Sequence, residues 1–435
     1  MSGYSPRRIA GLALPALVVL AAEPLYVLVD TAVVGHLGSR PLAALAVGGT
    51  VMSVAAWLGT VMAYGTTGRA ARRYGAGDRY AAVAEGVQAS WLALTVGLAL
   101  AVGAQVAAGP LAGALAGSES DAAGDAAQWL RIAALGAPGL LLAAAGNGWM
   151  RGVQDTRRPL RYVLGANALS AALCPVLVYP LGMGLVGSAV ANVIAQTIAG
   201  VLFVRAIVVE RTALRPRPAV IRQQVVLGRD LLIRGVAFQL CFLSATAVAA
   251  RFGTAAVGAH QITLQLWFFC ALALDAVAIA AQSLVGAALG AGHDAEARDL
   301  GRRIAAIGGV CGIGFAVLVG AGAGVVPGWF SPDAAVHAQA MLAWPWFVAL
   351  LPLAGVVYAL DGVLIGAGDA RYLRNATIVA AFGGFLPAIW VAYAVDAGLG
   401  GIWAGLALFI VARLVTLLVR LRSGAWAVVG AIRPS

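Results

Sequence analysis

The chain has 435 residues, of which 61% are hydrophobic and only 11% are charged. That balance excludes an ordinary soluble globular protein and is typical of a protein that crosses a membrane many times. The formal net charge is +11, and every Lys or Arg position holds arginine. A basic chain can bind nucleic acid, but these arginines lie in short segments between apolar runs, as in membrane-protein loops. We therefore expect a lipid bilayer as partner and no nucleic acid.

Apolar runs bounded by charges or by Gly and Pro clusters predict an all-α polytopic membrane protein with about twelve transmembrane helices. Several runs exceed the ~20 residues that span a bilayer, so we expect tilted or kinked helices. The predicted spans are 9–36, 42–69, 83–109, 125–151, 159–180, 185–209, 227–252, 256–289, 300–325, 336–366, 372–395 and 399–421.

The loop arginines fall almost entirely on one side of the predicted membrane. That side includes the cluster at 205–234, whereas the opposite side receives only Arg40, Arg131 and Arg251. Arg413 is set apart because it lies inside the last predicted helix. Positively charged loops remain in the cytoplasm, so the pattern predicts an even number of helices and two cytoplasmic termini.

An internal repeat organises the chain. DTAV, beginning at Asp30, aligns with ATAV, beginning at Ala245, at an offset of 215 residues. Farther along, Asn147 aligns with Asp361 at an offset of 214 residues. An offset held within one residue over this length indicates two copies of a six-helix unit. The predicted domains are an N-lobe at 1–210, a cytoplasmic linker at 211–226 and a C-lobe at 227–435.

Because each copy has an even number of helices, both copies enter the membrane from the same side. Parallel repeats of this kind are related by an axis along the membrane normal. They are typical of two-lobe transporters that have a central cavity and work by alternating access. The repeat therefore predicts two parallel six-helix lobes around a cavity.

Four acidic residues lie well inside predicted helices: Glu23, Asp30, Asp275 and Asp361. A charged side chain at the bilayer centre costs at least ~2.5 kcal/mol, so an acid there is a candidate functional group. Pro24 lies between the first two acids and lacks a backbone donor, so we predict a hinge beside a proton-sensitive site. The alternative is that each acid is a structural hydrogen-bond partner inside the bundle.

The two copies do not share their ionisable groups, which indicates an asymmetric coupling site. The candidates for proton or cation coupling are Asp30, Glu23, Asn147 and Asn167 in the N-lobe, with Asp275 and Asp361 in the C-lobe. Five polar residues in helices 7 and 8 are candidates to line a substrate cavity: Gln239, His260, Gln261, Gln265 and Gln282. His260 could titrate near neutral pH, although an interfacial histidine is an equally good interpretation.

The sequence contains no metal-ligand spacing and no credible catalytic triad. Its four cysteines lie in apolar segments without a CxxC pair and are expected to be small buried hydrophobic residues. We therefore expect no enzyme activity, no metal and no cofactor other than a coupling ion, either H⁺ or Na⁺. We expect a monomer, with a transported small molecule as partner.

Several motifs resemble those of the multidrug and toxic compound extrusion (MATE) transporters, particularly the DinF-like branch. They are VDTAVVGHLGSRPLAALAVGG in helices 1 and 2, AQSLVGAALGAG in helix 8, GNGWMRGVQDTRRPL after helix 4 and LDGVLIGAGDAR after helix 10. The resemblance implies a secondary active antiporter that exports cationic, amphipathic compounds, driven by inward H⁺ or Na⁺ flow. It also implies that Asp30 is the proton site, that Pro24 accompanies a bend of helix 1, and that Asn147 and Asp361 match polar positions of the family.

The chain departs from the family in helix 5. Many members carry the pattern N-x-x-N-x-x-x-D there, whereas this chain has Asn167, Ser170 and Cys174. Asp30 therefore lacks the carboxylate neighbour that the family supplies. Glu23, seven residues before Asp30 on the same helix, is a candidate replacement.

Two other functions compete with drug export. A lipid-linked oligosaccharide flippase of the same broad superfamily would need an arginine-lined cavity for pyrophosphate, whereas these helix interiors are mainly acidic. A non-transporting membrane scaffold or sensor would not need the buried acids and the repeat. The preferred interpretation is an antiporter in a bacterial inner membrane.

Overall fold

The computed structural model describes residues 6–117 and 121–433, and every regular element within those ranges is a helix. Twelve helical segments there are long and apolar enough to cross a membrane, which confirms the predicted all-α, twelve-helix architecture. They are α1 Pro6–Gly35, α2 Ser39–Gly75, α3 Arg79–Ala116, α4 Asp121–Gly152, α5 Arg157–Val178, α6 Gly184–Val209, α7 Pro218–Arg251, α8 Thr254–Gly290, α9 Asp294–Ala321, α10 Ala334–Gly366, α11 Ala370–Ala394 and α12 Gly398–Ser423.

Irregular turns interrupt two of these helices, and a short helix precedes a third. Helix α4 contains a 3₁₀ turn at Ala134–Gly136, and α11 contains a π turn at Ala381–Phe385. The short helix Val326–Phe330 lies between α9 and α10. Helix α1 continues through Pro24, which lies inside its single helical span.

Turn geometry repeats between the two halves of the chain. Gly38 and Gly253 have φ angles of 120° and 110°, and each precedes the second helix of its repeat. Gly77 and Gly292, with φ angles of 81° and 84°, precede the third helices. Residues with side chains rarely adopt such angles, so glycine is needed at these turns. Both pairs are 215 residues apart, and the sequence repeat is therefore also a backbone repeat.

Glycines bring equivalent helix pairs into backbone contact in both halves. A Cβ atom at Gly148 of α4 would lie 2.7 Å from the carbonyl oxygen of Ala63 in α2. A Cβ atom at Gly362 of α10 would lie 2.2 Å from the carbonyl oxygen of Ala278 in α8. Small residues allow such close approach in membrane bundles, where van der Waals packing between helices replaces the hydrophobic effect.

Packing divides the chain into two compact units. The first, which we call the N-terminal unit, comprises Leu14–Gly228. The second, the C-terminal unit, comprises the chain from Arg229 onward together with the start of α1, up to Ala13. The divisions after Ala13 and after Gly228 fall inside α1 and α7, so each of these two helices belongs to both units.

The segment between the repeats is shorter than predicted. The chain is non-helical from Glu210 to Arg217, and α7 begins at Pro218 rather than at residue 227. Proline suits the first position of a helix because its fixed φ angle is already helical and the missing N–H needs no partner. The later part of the predicted linker, 218–226, is therefore the first two turns of α7.

This segment is fixed to the N-terminal unit by polar contacts. The Glu210 carboxylate accepts a hydrogen bond from Arg79 Nη2 at 2.8 Å and lies within 3.3 Å of Arg158 Nη2. The hydrogen bond from Arg79 holds the pKa of Glu210 below its usual range. Trp91 Nε1 donates to the carbonyl oxygen of Leu214 at 2.8 Å. The segment is therefore a bound strap on α3 and not a free tether.

Gly362→Ala tests the close contact between α8 and α10. The added methyl group would meet the Ala278 backbone, so we expect a loss of about 1–3 kcal/mol and an apparent Tm lower by roughly 2–10 °C. Gly314→Ala is the matched control, because a Cβ atom there has nothing within 4 Å. Thermal unfolding of the detergent-purified variants measures both effects, and equal Tm values for the two variants would contradict the close contact.

Candidate functional site

Asp30 lies in a buried polar site within the N-terminal unit. The residue is only 5% exposed. Cys174 Sγ of α5 donates a hydrogen bond to Asp30 Oδ1 at 3.2 Å, and Ser188 of α6 is a second hydrogen-bond partner. The aspartate therefore links three helices, and both partners are uncharged.

Ser188 is oriented by a tryptophan. Trp129 Nε1 of α4 donates to Ser188 Oγ at 3.2 Å. An indole N–H can only donate, so the serine oxygen accepts this bond and its own proton is available to Asp30. The Trp129 ring packs on α2, where a Cβ atom at Gly48 would lie 2.4 Å from the ring. Helices α2, α4 and α6 thereby fix the donor that faces Asp30.

Further polar contacts hold α1 near this site. Tyr179 Oη donates to the carbonyl oxygen of Val33 at 2.7 Å. Asn192 Nδ2 donates to Tyr26 Oη at 3.1 Å. Tyr26 lies one helical turn before Asp30. These residues did not enter the sequence prediction. Ser188 and Asn192 are polar residues four positions apart on one face of α6, and this spacing is the signal that could have identified them.

Glu23 lies outside the buried face of α1 that carries Asp30. It is exposed, and within the described residues it forms no hydrogen bond or ion pair. The buried positions of α1 here are Ala22, Tyr26 and Asp30, which step four residues at a time. Four residues turn a helix by ~400°, so this stripe rotates by ~40° at each step. Two turns before Asp30, the buried face of α1 is therefore the one that carries Ala22. Glu23 and Pro24 follow Ala22 in the chain and are exposed.

The two asparagines predicted for this site do not contact Asp30. Asn147 is buried in α4, and its Oδ1 atom has no hydrogen-bond partner within the described residues. Asn167 is partly exposed in α5. Neither forms a hydrogen bond with Asp30 in the part of the chain that the structure describes. Cys174 is the residue that takes the position nearest to the carboxylate.

The C-terminal unit pairs its buried acid with two arginines. Arg413 Nη2 of α12 lies 2.6 Å from Asp361 Oδ1 and 2.7 Å from Oδ2. Arg234 Nη2 of α7 also donates to Asp361 Oδ2. Both guanidinium groups lie over the Phe238 ring, at 5.3 and 5.0 Å from its centroid. Arg234, which the sequence analysis assigned to the cytoplasmic cluster, therefore belongs to a buried ion pair, and both Asp361 oxygens are occupied.

The remaining candidates of the C-terminal unit differ in exposure. Asp275 is partly exposed. His260 and Gln282 are buried, with 3% and 1% exposure, and their side-chain nitrogen and oxygen atoms have no partner within the described residues. The His260 ring packs against Trp403, with centroids 6.2 Å apart. The exposed members of the set are Gln239, Gln261 and Gln265. Burial separates His260 and Gln282 from the three exposed glutamines, so the five do not form one continuous polar surface.

No group of three or more His, Cys, Asp or Glu side chains within residues 6–117 and 121–433 could hold a metal ion. The Asp30 site offers a carboxylate, a hydroxyl and a thiol. Hard cations prefer several oxygen ligands, whereas a thiol suits soft metals. This donor set is better suited to binding a proton on Asp30 than to binding Na⁺.

Comparisons with known proteins agree on one family. The family model described as MatE matches residues 15–176 and 231–390. The chain is 32% identical to Protein DETOXIFICATION 44, chloroplastic, of Arabidopsis thaliana, covering 96% of this chain and 83% of the relative. It is also 32% identical to DNA damage-inducible protein F of Escherichia coli (strain K12), covering 92% and 89%. A crystal structure of MATE in the bent conformation has the same fold, with a TM-score of 0.87, 21% identity and coverage of 96% and 94%.

Asp361→Asn tests whether this acid is mainly an ion-pair partner. The substitution leaves the buried Arg413 without its carboxylate, so we expect a loss of about 3–5 kcal/mol and an apparent Tm lower by about 10 °C. Asp299→Asn is the matched control, because its pair with Arg303 is exposed and worth at most about 1 kcal/mol. If Asp361→Asn is as stable as the parent in thermal unfolding, the buried pair does not stabilise the unit.

Proposed function

The chain belongs to the MatE family of transporters, and we propose that it exports cationic, amphipathic small molecules in exchange for protons that Asp30 binds and releases. It is a multi-pass membrane protein of the multidrug efflux type. The observation that carries the proposal is the pairing of Asp30 with two uncharged donors, Cys174 and Ser188. No arginine neutralises Asp30 among the described contacts, in contrast to Asp361.

Proton binding changes what Asp30 can do with its neighbours. An ionised carboxylate only accepts hydrogen bonds, so it can hold the thiol and the hydroxyl together. A protonated carboxyl is neutral and donates through one oxygen, so it accepts hydrogen bonds from the thiol and the hydroxyl more weakly than the ionised group does. Because these donors lie on α5 and α6, protonation weakens the attachment of α1 to both helices. This supports a proton-dependent movement of α1, with Pro24 as the bend.

The same donors favour H⁺ over Na⁺ as the coupling ion. The family position that usually supplies a second carboxylate holds Cys174, whose thiol is a poor ligand for a hard cation. A proton needs only the carboxylate itself. Loss of the family acid therefore removes an Na⁺ ligand and leaves the proton site intact.

The partners of the buried acids also favour a cationic substrate. Asp30 is the buried acid without a cationic partner among the described contacts, whereas Arg234 and Arg413 are both committed to Asp361. A cationic substrate and a proton can therefore compete for the negative charge of the N-terminal unit. The committed arginines also disfavour a pyrophosphate-binding flippase, because their Nη2 atoms already donate to a carboxylate.

We place the transporter in a bacterial inner membrane as a monomer with both termini in the cytoplasm. The arginine distribution supports the orientation, since positively charged loops remain in the cytoplasm. The similarity to a full-length Escherichia coli protein supports the bacterial membrane. Alternating access between the two units would complete the cycle, as in other parallel-repeat transporters.

Asp30→Asn should abolish proton-coupled export. The amide cannot exchange a proton, so substrate added to proteoliposomes should no longer dissipate an imposed pH gradient, and the rate should fall to background. Glu23→Gln is the matched control on the same helix, and we expect it to keep at least about half of the parent rate because Glu23 is exposed and unpaired. Full activity of Asp30→Asn would overturn the proposed role of Asp30.

Cys174→Asp should change the coupling ion. It restores a second carboxylate beside Asp30, which supplies the oxygen ligands that a hard cation prefers. We expect substrate transport by this variant to respond to an Na⁺ gradient, whereas the parent responds only to pH. Cys174→Ser is the control, because it keeps a neutral donor and should remain independent of Na⁺. Na⁺-driven transport by the parent protein would show that Cys174 does not set the ion preference.

A further inference from the structure

A groove with mainly apolar lining runs along the outside of the N-terminal unit between α4 and α6. It has a volume of about 550 Å³. Its residues on α6 fall at helical spacing on one face, and so do those on α4. The lining residues are Leu135, Pro138, Gly139 and Leu142 of α4, with Thr197, Gly200, Val201, Val204, Arg205 and Val208 of α6.

Glycines form the floor of this groove. A Cβ atom at Gly200 would lie 2.8 Å from the Cα atom of Gly139, and a Cβ atom at Gly139 would lie 2.4 Å from the carbonyl oxygen of Gln196. The two backbones therefore touch, and no side chain fills the space above them. The rims are apolar and uncovered by the rest of the described chain, with Val201 60% and Leu135 54% exposed. Both helices are candidate membrane spans, so the rims face lipid.

One end of the groove carries a single positive charge. Arg205 is the only charged residue of α6, and its side chain is exposed. Within the described residues it forms no hydrogen bond or ion pair. The nearest acid along the chain, Glu210, is already bound by Arg79 and Arg158. Arg205 is therefore available to pair with an anion from outside the protein.

We propose that this groove binds one anionic glycerophospholipid, with an acyl chain on the glycine floor and the phosphate on Arg205. Thr197 and Val208 are eleven residue steps apart, so the groove extends ~16 Å along the helix, about half of the hydrocarbon thickness. This length matches one leaflet. The charged end leads into the strap that the arginine pattern places in the cytoplasm, where anionic lipids are enriched. Basic pockets between membrane helices bind such head groups.

The test uses the delipidated full-length protein in a neutral detergent. Binding of phosphatidylglycerol and phosphatidylcholine is measured by native mass spectrometry. Arg205→Gln should weaken phosphatidylglycerol binding about fivefold, the factor that corresponds to ~1 kcal/mol for one basic residue near a membrane surface. Arg222→Gln, which removes another exposed arginine on α7, should change binding less than about twofold. Equal effects of the two variants, or none, would overturn the head-group assignment.

A second measurement places the lipid. Phosphatidylglycerol with a photoreactive acyl chain should cross-link to the peptide that contains Thr197 in the parent protein. Val201→Trp fills the groove and should reduce this labelling, whereas Val209→Trp, on the same helix but outside the lining, should not. Both positions are exposed, so neither change disturbs the core. Unchanged labelling in Val201→Trp would overturn the acyl-chain site.

Discussion

A charge inside a membrane-spanning segment costs several kcal/mol unless it is paired or neutralised by a proton. The two units of this chain meet that constraint in different ways. The C-terminal unit surrounds Asp361 with two arginines, and these ion pairs fix α7, α10 and α12 to one another. The N-terminal unit gives Asp30 only a thiol and a hydroxyl. These partners carry no charge, so protonation of Asp30 would leave no buried cation unpaired among its described contacts.

This asymmetry is built on one repeated scaffold. The positive-φ glycines of the turns and the glycine contacts of α4 with α2 and of α10 with α8 occur at equivalent positions in both halves. Packing in a bilayer demands small residues at these points, and the demand is the same in each copy. The polar positions are not subject to this packing constraint. Asn147 and Asp361 can therefore differ although they align. The scaffold is therefore common to both units, and their chemistry is separate.

The sequence predicted the features that depend on local pattern and largely missed those that depend on tertiary contact. Helix number, the repeat and the burial of Asp30 follow from apolar runs and internal alignment. The pairing of Arg234 with Asp361 joins residues 127 positions apart, so no local pattern shows it. Arg234 lies near the predicted start of a helix and was therefore assigned to the cytoplasmic loop. Glu23 and Asp30 lie within ~20° on a helical wheel, but the wheel does not show that the packing stripe rotates along α1. The start of α7 was misplaced because the arginine-rich stretch masked a proline-initiated helix.

Under the proposed function, the contacts of Asp30 would let a single proton affect several helices of one unit without a long-range path. Asp30 contacts Cys174 of α5 and Ser188 of α6, Ser188 is held by Trp129 of α4, and Trp129 packs against Gly48 of α2. Five of the six helices of the N-terminal repeat thus meet within three contacts of one carboxylate. The glycine at position 48 leaves no room for the indole to shift toward α2. A change in the hydrogen bonding of Asp30 would therefore act first on α1 and α5, which hold Asp30 and Cys174 and contain Pro24 and Pro175.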